Sequence, residues 1–247
     1  MKILQYGYVV WALLVFVVFM LLFLPFFLLP PLFGQGGLRI TYFFLRLWSW
    51  IFSKLNFIPY AIEGRENLTA SKSFIVVSNH TSFLDLPGIC LALPGQFRPL
   101  AKTELKKIPV FGWIASTATI MVDRSNPKSR RKSMNDLLET LARGISVLIF
   151  AEGTQNRTSA MLQPFKDGAF KLAIDTGASI LPVVISGAGR LMPPGRFFIK
   201  PGKIHIRIGA PIAIDAQLAR IDALKQETFN KMSAMLLQLQ NPPLAAV

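Results

Sequence analysis

Between Ile3 and Leu38 the chain carries no charged residue, and Tyr8 to Leu24 is an unbroken apolar and aromatic run. A helix needs about 20 such residues to cross the hydrocarbon of a bilayer, so the stretch is long enough for one crossing. Pro25, Pro30 and Pro31 come after it, and proline removes an N–H that a helix interior needs, so the second half is not expected to continue as a straight helix. One crossing or a bent re-entrant insertion fits this pattern. A cleaved signal sequence fits less well, because the run is too long and no Ala-x-Ala site follows. The expectation is a retained anchor.

From Leu38 to Phe57, Arg39, Arg46 and Lys54 are set among Tyr42, Phe43, Phe44, Trp48, Trp50 and Phe52. Aromatic-rich, cation-dotted helices of this kind lie in the membrane interface with their aliphatic stems reaching toward headgroups. A core helix of the globular part is the competing reading. Three cations after the anchor against Lys2 before it place the rest of the chain on the cytoplasmic face. The expected organisation is 1-58 as membrane anchor and interfacial helix, and 59-247 as one globular domain.

The net charge of +14 calls for an anionic partner. No zinc-ligand spacing, RNA-binding aromatic signature or recognition helix is found, so a lipid surface is expected and nucleic acid is not. The single cysteine, Cys90, excludes an intramolecular disulfide. It lies in the apolar run Ile89 to Leu93 and reads as a small buried side chain. Two histidines in the whole chain argue against a histidine-rich metal site.

Beyond Ala61 the pattern alternates. Strands are expected at Phe74 to Ser78, Ser146 to Phe150, Ile180 to Ile185 and Lys203 to Gly209, the last with Ile204, Ile206 and Ile208 on one face and Lys203, His205 and Arg207 on the other. Pro127 opens a helix whose apolar face is Met134, Leu137, Leu138 and Leu141, with Gly144 where a C-terminal glycine belongs. Further helices are expected from Phe165 to Thr176, closed by Gly177, and from about Ala216 to Gln240. Strands alternating with helices argue for an α/β domain.

Two polar segments each come directly after an apolar strand, and in open α/β sheets sites gather at the carboxyl ends of strands. The first holds His80 and Asp85. An imidazole takes a proton near neutral pH, and a carboxylate fixes its tautomer. On a regular helix the two side chains would point about 140° apart. A turn leading into a helix start, with Thr81 or Ser82 as N-cap, would bring them together. A structural histidine at a strand end is the alternative for this segment alone. A Ser82-His80-Asp85 hydrolase triad is stereochemically poor, because members this close in sequence rarely converge.

His80 to Asp85 forms a His-x4-Asp motif. Lys102, Pro109, Gly112 and Arg124 come next, then Phe150-Ala151-Glu152-Gly153-Thr154, Phe165-Lys166-x-Gly168 and Leu181-Pro182-Val183. In this order the segments resemble the four blocks of the glycerolipid acyltransferases, the 1-acyl-sn-glycerol-3-phosphate acyltransferase family, over roughly Ala61 to Gly209. The resemblance implies a single mixed-sheet acyltransferase domain with flanking helices behind the hydrophobic N-terminal region. It implies direct transfer: His80, oriented by Asp85, acts as general base on an acceptor hydroxyl that attacks the thioester of an acyl-CoA or acyl carrier protein. The expected acceptor is 1-acyl-sn-glycerol-3-phosphate and the product phosphatidic acid; no cofactor or metal is implied. Glu152, Gly153 and Thr154 are expected to shape the acceptor site, Arg124 and Lys102 to supply charge for phosphate, and Pro182 to lie on the donor side.

Two positions depart from the family pattern. Ala151 replaces the usual proline, and Gln155 replaces the arginine commonly credited with holding the acceptor phosphate. Arg157, two residues on, is the expected compensating charge. The substitution keeps another lysolipid, such as a lyso-ornithine lipid or lysophospholipid, open as acceptor. A lipid hydrolase or thioesterase using Ser82 or Cys90 and a non-catalytic lipid-binding protein are the other classes weighed. The cations Lys128, Arg130, Arg131 and Lys132 form either a solvated helix start or a patch for an anionic partner.

Overall fold

The computed structural model describes residues 2–68, 73–196 and 198–240. The apolar N-terminal run forms α1 (Lys2–Leu22), which stops short of Pro25. Leu24–Leu28 add a short helix, α2, and Pro30–Phe33 a 3-10 turn, before α3 (Gly34–Leu55) returns. The start of α1 is fastened to the end of α3: the Tyr8 hydroxyl donates to Asn56 O (2.5 Å) and Trp11 Nε1 to Leu55 O (3.0 Å). The window Leu4–Leu22 has the length and composition to cross a membrane, and only 17% of it is buried.

Then come β1 (Tyr60–Glu63), β2 (Ile75–Ser78), α4 (Asp85–Ala92), β3 (Phe97–Lys102), α5 (Phe111–Ala118), β4 (Ile120–Val122), α6 (Pro127–Ala142) and β5 (Ser146–Phe150). They are succeeded by α7 (Gly168–Thr176), β6 (Ile180–Ser186), α8 (Ala188–Leu191), β7 (Ile204–Ile208) and α9 (Ile221–Gln240). The strands make one sheet in the order β1-β7-β6-β2-β5-β3-β4. β2 is central and parallel to both β5 and β6. β7 runs antiparallel to β6, and β1 joins the far side of β7 in parallel, so the sheet is mixed.

Period-two alternation divides the core between the faces of the sheet. Ile75 and Val77 of β2, Val147 and Ile149 of β5, and Ile180 and Val184 of β6 pack with α6, α7 and α9. Val76, Leu148, Leu181 and Val183 point the other way, into a cluster that also holds Ala12 and Val15 of α1, Tyr42 and Phe52 of α3 and Ile89 of α4. The position 58/59 falls between α3 and β1, and this second cluster runs across it. Residues 241–247 of the expected globular part lie outside the described residues.

α3 combines the two readings its sequence allows. Leu38, Tyr42, Ser49 and Phe52 are buried, while Ile40, Phe43 and Trp50 stand exposed on the other side. Arg46 is not free to reach for headgroups: it donates to Cys90 O (3.1 Å), Leu93 O (3.3 Å) and Gly95 O (2.6 Å), satisfying carbonyls at the end of α4. α6 begins as expected, with Asn126 as N-cap accepting from the N–H of Lys128 (2.9 Å) and Ser129 (3.3 Å).

Some boundaries move. α7 begins at Gly168, three residues past Phe165, whose ring is buried in the core. α9 begins at Ile221 rather than Ala216, because Asp215 Oδ1 accepts from the N–H of Gln217 and Leu218 (both 2.9 Å) and holds that stretch in a turn.

Candidate active site

The loop after β2 is shaped by hydrogen bonds to its own backbone. Asn79, almost completely buried, bridges to β6: its Nδ2 donates to Ile185 O (2.9 Å) and its Oδ1 accepts from Ile185 N (2.8 Å). The chain then turns so that Asp85, the first residue of α4, faces back toward it. Asp85 Oδ2 accepts from Thr81 N (2.7 Å) and Ser82 N (2.8 Å) and lies 2.8 Å from His80 Nδ1. The turn into a helix start is therefore present, but neither Thr81 nor Ser82 is its N-cap. Leu84 holds that position, and Ser82 Oγ accepts from Leu84 N (3.2 Å).

Asp85 is fully buried, and its Oδ1 has no hydrogen-bond partner among the described residues. A carboxylate oxygen that already takes two amide protons acts as an acceptor, so Nδ1 is assigned as the donor of the third bond. That leaves the Nε2 lone pair for chemistry. The imidazole stacks on Phe150 at 4.0 Å between centroids and 16° between planes, which fixes the ring from its face. Its side chain stays 18% exposed, enough to be reached.

Glu152 comes after β5 and braces the same loop from beneath. Its Oε1 accepts from His80 N (3.0 Å) and its Oε2 from Gln163 N (2.9 Å), at 2% exposure. Burial raises its pKa, and the two amide bonds pull it back down. Asn156 N closes the ring by donating to His80 O (2.6 Å). Both Glu152 oxygens are thus occupied by backbone N–H groups.

His80 opens on a cavity of about 920 Å³. One part of its wall is polar: Lys102 at the end of β3, Arg124 after β4, and Gly153, Thr154, Gln155 and Arg157 after β5. The rest is apolar, bounded by Leu13 and Phe16 of α1, Trp48 of α3, Ile89 of α4, Pro99 of β3 and Ala115 of α5 among others. Glu152 is not part of this wall. Arg124 Nη1 donates to Gly153 O, and Arg124 O in turn accepts from Arg130 Nη1 (2.8 Å). Burial lowers the Arg124 pKa, and the nearby charge of Glu104 opposes that shift. Gly153 adopts φ +79°, and a Cβ there would meet the Arg124 guanidinium at 2.8 Å. Arg157 is exposed at the rim.

Of the residues singled out in the sequence, His80, Lys102, Arg124, Gly153, Thr154 and Arg157 come together at this cavity or its edge, with Asp85 buried behind His80. Pro182 does not. It sits in mid-β6 opposite Val77, with Ile180 and Val184 on its side of the sheet, and faces α9 rather than the cavity. His205 lies half-buried on the face of β7 opposite its isoleucines. The nucleophiles weighed for a hydrolase are poorly set: Ser82 Oγ donates to Met192 O (2.8 Å), and burial pushes the Cys90 thiol up to about 11. Among the described residues no cluster of His, Cys, Asp and Glu fits a metal. Sequence reasoning missed the bracing by Asn79, Asn156 and Gln163, and the contribution of α1 to the cavity wall.

His80, paired with Asp85, thus opens on a cavity that is cationic at one end and apolar at the other. Residues 59–186 match the family model described as Acyltransferase, and the chain belongs to that family. A chloroplastic 1-acyl-sn-glycerol-3-phosphate acyltransferase of Brassica napus is 33% identical over 89% of this chain and 62% of its own length. A chloroplastic enzyme of the same name from Arabidopsis thaliana is 35% identical over 88% and 59% respectively. The chain thus spans about three-fifths of the length of these two relatives. The crystal structure of the 1-acyl-sn-glycerophosphate acyltransferase of Thermotoga maritima shares the fold at a TM-score of 0.82, with 23% identity over 97% of each chain.

Proposed function

We propose that this protein transfers an acyl group from a thioester, acyl-CoA or acyl carrier protein, to the free hydroxyl of 1-acyl-sn-glycerol-3-phosphate, giving phosphatidic acid. The observation that carries this reading is the His80–Asp85 pair at 2.8 Å on the wall of a cavity with cationic and apolar ends. His80 Nε2 takes the hydroxyl proton, the oxygen attacks the thioester carbonyl, and the C–O bond forms as the C–S bond breaks. The imidazolium returns the proton to the departing thiolate. Asp85 keeps the imidazole in the tautomer this needs and stabilises the cation that forms. The names of the relatives support the acceptor and the product.

Lys102, Arg124 and Arg157 are the cations available to the acceptor phosphate at the polar end. Gln155 lies beside them where the family usually has arginine, and it donates hydrogen bonds without charge. This favours a second acceptor reading, a lysolipid whose headgroup needs less cationic charge. α1 attaches the chain to the bilayer, and the catalytic part faces the cytoplasm.

Purified full-length protein given labelled thioester and a panel of lysolipids tests both readings. Phosphatidic acid is the expected main product, and His80→Ala is expected to lower kcat by roughly 10²–10⁴-fold. Turnover unaffected by His80→Ala, or an acyl-enzyme trapped on the wild type, would sink the direct-transfer reading. Arg157→Ala is expected to raise the acceptor KM by about tenfold or more, the worth of a charge-assisted hydrogen bond. An unchanged KM would remove Arg157 from the phosphate site.

A further inference from the structure

The stretch from the end of β3 through the first turn of α5 has two faces. Leu105, Phe111 and Ile114 turn inward and line the cavity. Ile108 and Trp113 turn outward and are 41% and 56% exposed. Lys106 and Lys107 stand exposed beside them, as does Glu104 of the same segment, whose charge also acts on Arg124.

The tip is held in a fixed shape. Phe111 N donates to Pro109 O (2.6 Å) across Val110 at φ +62° and ψ −57°, a γ-turn of the strained kind that β-branched residues rarely adopt. Gly112 closes the packing, since a Cβ there would lie 2.5 Å from Lys106 O and 2.8 Å from Leu105 O. Strain that presents an apolar tip to water would be a double cost. The same tip is favourable where something apolar receives it.

Its neighbours indicate what that is. Val110, Phe111 and Ile114 share one cluster with Met20 at the end of α1 and with Phe27 and Leu28 of α2. Beyond that cluster Phe26, Leu29, Leu32 and Phe33 are exposed. The segment is therefore packed against the end of α1 and against α2, whose own outer side chains, Leu21, Leu22 and Phe26 among them, are apolar and exposed. Apolar side chains with a tryptophan, flanked by lysines, are the pattern of an element lying at the headgroup boundary of an anionic leaflet.

We propose that Lys106 to Trp113 is a second membrane contact, a wedge that seats Ile108 and Trp113 among the acyl chains and Lys106 and Lys107 among anionic headgroups. It holds the rim of the cavity at the depth where a lysolipid lies. This rests on the membrane attachment of α1 and on the proposed lysolipid acceptor, and not on the acyl-transfer step itself.

The test uses the full chain reconstituted in phosphatidylcholine vesicles, with and without phosphatidylglycerol, carrying brominated acyl tails. Trp113→Phe is expected to remove a share of the bromine quenching seen in the wild type, and Trp113 to be shielded from aqueous acrylamide. Charge reversal by Lys106→Glu with Lys107→Glu is expected to lower that share in anionic vesicles and leave neutral vesicles unchanged. Acrylamide quenching of Trp113 undiminished by vesicles would overturn the proposal. Shielding from both quenchers would mean that another copy of the chain covers this face, which also overturns it. A chain that fails to float with vesicles would overturn the wedge together with the attachment of α1, whereas lost turnover with quenching intact would count against the chemistry alone.

Discussion

Asp85 Oδ2 receives three donors while Oδ1 receives none among the described residues, so its acceptor capacity is concentrated where the imidazole sits. Leaving a buried oxygen unpaired costs about 1–3 kcal/mol, a cost set against the orientation of one ring. Glu152 stands one step behind, and its raised pKa gives a pH signature. A carboxyl whose folded pKa lies above its unfolded value stabilises the fold fully below the unfolded pKa and loses that contribution as pH rises through the folded one. Glu152→Gln removes this term along with one of the two amide contacts. The stability of wild type relative to the variant is therefore expected to shrink as pH climbs from the ordinary carboxyl range upward, measured by melts in detergent. A difference that does not vary with pH would mean Glu152 keeps its ordinary pKa. The pairing of His80 with Asp85 was legible in the sequence because one short motif contains both partners. The bracing was not, since Glu152 meets His80 across 72 positions and no local pattern records that contact.

α4 carries Asp85 at its first position and reaches the sheet through Gly88. A Cβ at Gly88 would lie 2.7 Å from Ile206 Cδ1 and 2.8 Å from Tyr60 Cε1. The Tyr60 hydroxyl also donates to Leu84 O (2.9 Å), so the start of α4 is tied to β1. Overpacking of this kind costs about 1–3 kcal/mol. Gly88→Ala is expected to lower the melting temperature and, by shifting Asp85, kcat with it; a melt and a turnover assay both at wild-type values would show that the two side chains give way freely. The β2, β5 and β6 strands stood out in the sequence as apolar, β-branched runs, and β7 by its strict alternation. β3 did not, because Phe97-Arg98-Pro99-Leu100-Ala101-Lys102 holds a proline and two cations, features that argue against a strand within a sheet. It is nevertheless paired on both sides, with Pro99 opposite Leu148 of β5 and Leu100 opposite Ile120 of β4. β1 and β4 are four and three residues long, too short for alternation to register.

At the scale of the whole molecule, the sequence separates a greasy start from an alternating remainder, and the folded chain packs them together. Ala12 of α1 is buried in the same cluster as Leu148 of the central sheet, and it lines the apolar part of the cavity. Filling that space with Ala12→Phe is expected to shift preference toward shorter acyl thioesters, read by competition between thioesters of different length. An unchanged preference would place the acyl chain elsewhere. Hydropathy identified α1 as a candidate for the bilayer but gave no sign that it serves as a wall, because helical periodicity is silent when every face is apolar. The shared wall bears on how modular such a protein is. On the proposed function, exchanging α1 for another hydrophobic helix of equal length is expected to preserve attachment to the bilayer and alter substrate selectivity, because the stretch that looks most replaceable also lines the cavity.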